Sequence, residues 1–137
     1  MSEDTFVGYL GLGFRKMGCH VVKHNDINIG IPDLSVFDQM TKQTKWLEVK
    51  NKQEYPAKET TKIWWPHYTE QQALFLRKRN GFLIARIARD YYMFDDVEAW
   101  AIFENKGLIK SDLMLKSKIW WRNKIDWTAM YEELFLC

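Results

Sequence analysis

Phe6, Leu10, Phe14 and Met17 recur at helical spacing behind Ser2, a residue suited to an N-cap, and Gly18 follows as a C′ glycine would. The spacing predicts a first helix over about 3–17. Gly8, Gly11 and Gly13 lie inside it and each costs about 0.5–1 kcal/mol relative to alanine, which points to close packing or a nearby ligand. The period then drops to two. Residues 19–23 read as a short strand, 24–30 as a polar loop, and 34–37 as a second strand. A turn over 38–45 leads into a third strand over 45–50, with Leu47 and Val49 on one face and Glu48 and Lys50 on the other, so the second and third strands make a hairpin.

Residues 51–68 follow neither period and read as a loop or lid. Thr69 is placed to cap a helix over about 70–80 that ends at Gly81. The aromatic and β-branched stretch 82–94 predicts one strand or a bent hairpin. Asp95 or Asp96 starts a short helix to about 105, and Asp126 caps a final amphipathic helix carrying Trp127, Met130, Tyr131 and Leu134. The order α β β β α β α followed by a tail predicts an α/β domain, a mixed sheet with helices on its faces.

At 137 residues the chain fits a single domain, and 47% apolar content with 7 Gly and 3 Pro excludes disorder and collagen. No apolar run approaches the ~20 residues of a membrane helix. The acidic start lacks the basic flank of a signal peptide, and two cysteines, Cys19 and Cys137, form no disulfide framework, so the expected setting is reducing and cytoplasmic. The net charge of +2 conceals clustering: residues 77–89 carry five basic groups and no acid, and 106–124 carry six against Asp112 alone. Acids gather at 95–104. A field polarised in this way suits a polyanionic partner, or else solvates one face.

The residues that carry chemistry are Gly30-Ile31-Pro32-Asp33, then fourteen residues, then Glu48-Val49-Lys50. Glu48 and Lys50 share a strand face, and Asp33 precedes the neighbouring strand, so two carboxylates and an amine can converge. An all-oxygen pair of this kind suits Mg²⁺, and a lysine beside it can steady a hydroxide nucleophile or the charge developing on phosphorus. The plain alternative is an Asx-turn acid beside a solvated Glu/Lys ladder. His20, His24 and His67 lack metal-ligand spacing, which argues against zinc; His24, near the Gly30 turn, is a phosphate contact or merely polar. Trp64-Trp65 and Trp120-Trp121 are half core and half interface, or stack on unpaired bases.

This ordered set resembles the PD-(D/E)XK nucleases, and within them most resembles the VRR-NUC branch and the archaeal Holliday-junction resolvases. The resemblance covers about 3–94 and includes a glutamine helix, Gly81 and the strand beginning Phe82-Leu83-Ile84. It implies a restriction-endonuclease-like core, with 95–137 as a basic, Trp-rich extension of one domain, and a Mg²⁺-dependent deoxyribonuclease for which Mn²⁺ can substitute. In it Asp33, Glu48, the Val49 carbonyl and Glu3 of the first helix would ligate metal, Glu3 being on the apolar side from which Asp4 is turned away. Lys50 would position the nucleophilic water. Gln72 falls where a capping box already accounts for it, which leaves Gln71 to orient water or Lys50. Lys23, Lys52, Lys116, Lys118 and Arg122 would hold phosphates, and the partner would be branched or flapped DNA met by a homodimer, with no membrane. A non-catalytic nucleic-acid-binding module and a ribonuclease on the same fold are the competing readings.

Overall fold

A computed structural model gives the structure of the chain, and residues 1–24 and 30–137 are described. The elements are α1 (Glu3–Lys16), β1 (Cys19–Lys23), β2 (Leu34–Asp38), β3 (Thr44–Lys52), α2 (Glu70–Arg79), β4 (Phe82–Ile87), β5 (Asp90–Phe94), α3 (Asp96–Glu104), α4 (Lys110–Lys116), β6 (Ile119–Arg122) and α5 (Trp127–Phe135). The six strands lie in one sheet in sequence order. Every neighbouring pair is antiparallel except β3 and β4, which α2 connects as a crossover. The expected mixed sheet with flanking helices is therefore the observed fold. Most of the predicted loop over 24–30 lies outside the described residues.

Alternation along the strands builds two cores. Leu34, Val36, Leu47, Val49, Ile84 and Met93 face α1 and α5, against Phe6, Leu10, Phe14, Met130 and Leu134. Leu83, Ala85, Ile87, Tyr92 and Phe94 face α2, α3 and α4, against Ala73, Leu76, Ala99, Ile102 and Leu113. Glu48 and Lys50 belong to this second face, one residue out of phase with Leu47 and Val49.

One sequence reading needs correction, and two that left alternatives open are resolved. The stretch between 105 and the final helix is no tail, since 110–116 forms α4 and 119–122 pairs with β5 as the sheet edge, while the expected helix capped by Asp126 is α5, packed on the same core as α1. The stretch 82–94 is a tight hairpin, turning at Ala88 with φ of 55°. The segment 53–68 is pinned to the fold and does not hang over it as a loose lid. Tyr55 bonds to Asp90 and Tyr92, Ile63 bridges Leu108, and the Tyr68 hydroxyl donates to the Ala99 carbonyl at 2.7 Å.

The helix glycines separate into different physical cases. A methyl on Gly13 would fall 2.1 Å from the Trp127 ring, so α5 reaches α1 only because that side chain is missing, whereas a methyl on exposed Gly8 would meet nothing within 4 Å. Gly13→Ala is expected to destabilise by about 1–2 kcal/mol, overpacking outweighing the propensity gain. Gly8→Ala should stabilise by about 0.5–1 kcal/mol. Denaturant unfolding of the two variants measures both, and shifts of equal sign would contradict the packing.

Candidate active site

The turn that delivers Asp33 depends on Gly30, which has φ of +102° and sits so close to α2 that a methyl would lie 2.8 Å from Gln71 Cβ. Pro32 then leads into Asp33, and β2 begins one residue later. Because β2 starts at Leu34, opposite Leu47, it leaves β3 unpaired on that side beyond Leu47. Asp33 fills the gap: its Oδ2 accepts the Val49 N–H at 2.9 Å. The N–H and C=O of one strand residue point to the same edge, so the Val49 carbonyl faces the same gap.

On the α2 face Glu48 and Lys50 are 1% and 3% exposed, which rules out a solvated ladder. Lys50 Nζ forms an ion pair with Glu48 Oε2 at 3.3 Å, and neither carboxylate oxygen of Glu48 has a hydrogen-bond partner among the described residues. Burial, then the nearby Asp33 carboxylate, push the Glu48 carboxyl up to about 8 against the pull of Lys50. Burial also raises Asp33, opposed by the Val49 N–H and by Lys50. Leaving a buried carboxylate without a donor costs about 1–3 kcal/mol or more, a burden that a bound cation would relieve. The donors in reach are carboxylate and carbonyl oxygens, a hard set that fits Mg²⁺.

Glu3, in the first turn of α1, is close enough to feel Lys50, Asp33, Asp4 and His67, and its carboxyl is raised chiefly by burial. The N-terminal end of α1 is fixed there because Asn51 Nδ2 and Gln53 Nε2 both donate to the Met1 carbonyl. Among the described residues no group of three His, Cys, Asp or Glu side chains is gathered to hold a metal.

The glutamines divide differently from the sequence expectation. Gln71 packs on Gly30 and faces outward, while Gln72 Oε1 accepts the Thr69 N–H at 3.0 Å and Lys50 Nζ at 3.5 Å. A carbonyl oxygen has two lone pairs, so the capping box does not exhaust it. Tyr68 is a site residue that the sequence pattern does not single out. It is buried, with its ring centroid 5.6 Å from Lys50 Nζ, and its position just before the N-cap Thr69 is its one local signal. His24 stacks on Trp46 and bonds Ser35 Oγ at 2.9 Å. Trp65 is buried and Trp121 packs on the core, while Trp120 is 38% exposed.

The five basic residues expected on phosphates separate as well. Lys23 and Lys52 end β1 and β3, flanking the gap at Asp33, and Arg122 shares the cross-strand row of Lys52 through Ile87 and Asp90. Lys118 precedes β6 and lies four residues, about 13 Å, back along the sheet from Arg122, with Lys116 further still.

No protein-family model matches this sequence, and no curated protein is similar to it. Among solved structures the chain is similar to a Holliday junction resolvase, Hjc, from the archaeal hyperthermophile Archaeoglobus fulgidus. The TM-score is 0.58 at 15% identity, covering 84% of this chain and 93% of that one. The two chains share a fold: the mixed sheet and flanking helices that bring Asp33, Glu48 and Lys50 together are the architecture of that resolvase.

Proposed function

We propose that this protein is a metal-dependent endodeoxyribonuclease acting on branched DNA. One observation carries the reading. The buried Glu48 carboxylate has no hydrogen-bond donor among the described residues, yet it is bordered by a second carboxylate, Asp33, and by the Lys50 amine. A fold held only for stability gains nothing from such a group, since apolar replacements of buried ion pairs are often neutral or stabilising. Likeness to a resolvase fold supports branched DNA as the substrate, and among the described residues no helix is long and apolar enough to cross a membrane.

Asp33, Glu48 and the Val49 carbonyl would hold Mg²⁺ or Mn²⁺. A metal held there would polarise the phosphodiester and acidify a bound water. Lys50 Nζ lies beside these ligands, where it orients the attacking water and offsets charge developing on the phosphoryl oxygens. Gln72 Oε1 fixes the direction of that amine, and the Tyr68 ring screens it from bulk water.

Incubation with supercoiled, single-stranded and four-way-junction DNA, and with a matched RNA, in Mg²⁺, Mn²⁺ or EDTA tests the proposal. Cleavage of the junction in either metal and none in EDTA is expected. RNA cleavage alone would make the protein a ribonuclease. Binding without cleavage of any substrate would make it a non-catalytic module. Calorimetry adds a readout independent of turnover: Asp33→Asn should lose Mg²⁺ affinity, and equal affinity in both proteins would put the metal elsewhere. Two symmetric incisions require two sites, so a dimer by sedimentation is expected.

A further inference from the structure

Beyond the metal site, the same end of the sheet carries a basic ledge with its own geometry. Two backbone hydrogen bonds join three strand ends in series: the Ala88 N–H donates to the Lys52 carbonyl at 2.9 Å, and the Asn123 N–H donates to the Arg89 carbonyl at 2.8 Å. Ala88 and Asn123 both adopt left-handed conformations, with φ of 55° and 68°, as the tight corners require. Lys52, Arg89, Arg122 and Lys124 therefore occupy consecutive corners, and the last three are exposed. The ledge starts at Lys52, two residues or about 7 Å past Lys50 on the same strand face. From there it crosses three strand spacings, about 14 Å, to the β6 edge.

The acids on this edge are few. Asp90 is buried, bonded by Tyr55 and paired with Arg122 at 3.5 Å, Asp126 caps α5, and Glu54 is exposed beside Lys52. Trp120, the exposed aromatic closest in sequence, has Arg122 5.9 Å from its ring. Four cations in a line outnumber the three acids, Asp90 paired with Arg122, Asp126 capping α5 and Glu54, and the excess complements a phosphate backbone. Phosphates of one strand repeat every ~3.4 Å along a duplex axis, so about 14 Å spans about four base pairs.

We propose that Lys52, Arg89, Arg122 and Lys124 form a phosphate-binding ledge that holds one duplex DNA arm as it leaves the metal site towards β6. This rests on the nuclease reading and narrows it. The enzyme grips the duplex on the β4–β6 side of the cut, and the basic groups around α4, Lys116 and Lys118, stand off the path. Lys118 pairs with Asp95 at 3.9 Å as Arg122 does with Asp90 at 3.5 Å, so it is distance along the sheet that sets Lys116 and Lys118 apart.

The test measures affinity of the full chain for a fluorescent four-way junction and for a duplex of about 20 base pairs, in EDTA, over a range of salt. Each phosphate contact contributes a slope of about −0.9 in log affinity against log salt. Arg89→Ala and Lys124→Ala should each flatten the slope by about one unit, the double variant by about two, and Lys116→Ala with Lys118→Ala by none. Arg89→Lys should restore the slope. Unchanged slopes in the first pair, or flattening only in the second, overturn the ledge. Cleavage of the junction by wild type in Mg²⁺ is scored separately. A wild type that binds with these slopes but never cuts would refute the nuclease and keep the ledge, whereas one that cuts with unchanged Arg89→Ala slopes would do the reverse.

Discussion

Replacing Lys50 by alanine is expected to slow cleavage at saturating DNA by about 10²–10³, the loss typical of removing one preorganised electrostatic group. DNA affinity should hold, because the amine is too buried, with its side chain 4% exposed, to act as a counterion-releasing anchor. Its neighbours argue the same way. Nζ is held between the Glu48 carboxylate at 3.3 Å and Gln72 Oε1 at 3.5 Å, a placement that fixes its direction and leaves little freedom to follow a mobile backbone. Breaking a buried pair can cost about 3–5 kcal/mol, so Lys50→Met, which keeps the apolar stem, is measured beside the alanine variant. Both should cut slowly and bind normally. Affinity that collapses while turnover at saturation stays normal would make Lys50 a phosphate anchor. Gln72→Ala acts through Lys50 and should shift the pH-rate profile more than it lowers affinity, whereas Gln71→Ala should do neither.

How far these roles can be read from residues alone depends on whether local pattern or tertiary contact decides them. Ser2, Thr69, Asp95 and Asp126 cap their helices by the hydrogen bonds expected of them, because capping is a matter of three or four consecutive residues. The β2–β3 hairpin likewise follows from alternation and a short turn. Burial of Glu48 and Lys50 does not, since an exposed ladder has the same alternation and only α2 with Tyr68 covers this one. The capping role of Gln72 is legible in sequence while the second lone pair on the same oxygen is not, and so the pattern points to Gln71 instead. Helix α4 and strand β6 escape the pattern for a different reason. α4 has seven residues and no side-chain cap, and β6 has four residues between Lys118 and Asn123, so charge outweighs a period too short to count. Arg89 and Lys124 close the basic clusters 77–89 and 106–124, but nothing local singles them out from the other cations there. They become neighbours of Lys52 only through hydrogen bonds between strand ends far apart in sequence.

Metal-free protein is expected to lose stability as pH rises from about 5 to 8, and saturating Mg²⁺ should reverse much of that loss. The sign follows from Glu48. Its carboxyl lies near 4.5 when unperturbed and is pushed to about 8 in the folded chain, so between those values the native state keeps a proton that the unfolded state has released. Stability from this group is complete below the lower value and fades as pH climbs through the higher one. Asp33, also raised by burial, adds to the same trend. Asp38 is lowered by its bonds to Thr41 and Tyr131, so its contribution is lost only in acid and does not mask the effect. Each tenfold difference in proton affinity between the folded and unfolded chain is worth about 1.4 kcal/mol, so the loss is on the order of a few kcal/mol. A metal ligand must be deprotonated, so Mg²⁺ displaces the proton, binds more tightly as pH rises, and flattens the profile. Denaturant titrations from about pH 5 to 9 in EDTA and in Mg²⁺, for wild type and Glu48→Gln, decide the matter. The amide variant should be nearly flat in both conditions and indifferent to metal. A wild-type profile in EDTA that is flat, or that rises towards alkaline pH, would mean that Glu48 is ionised without a cation, and the metal would lose its main physical reason for binding there.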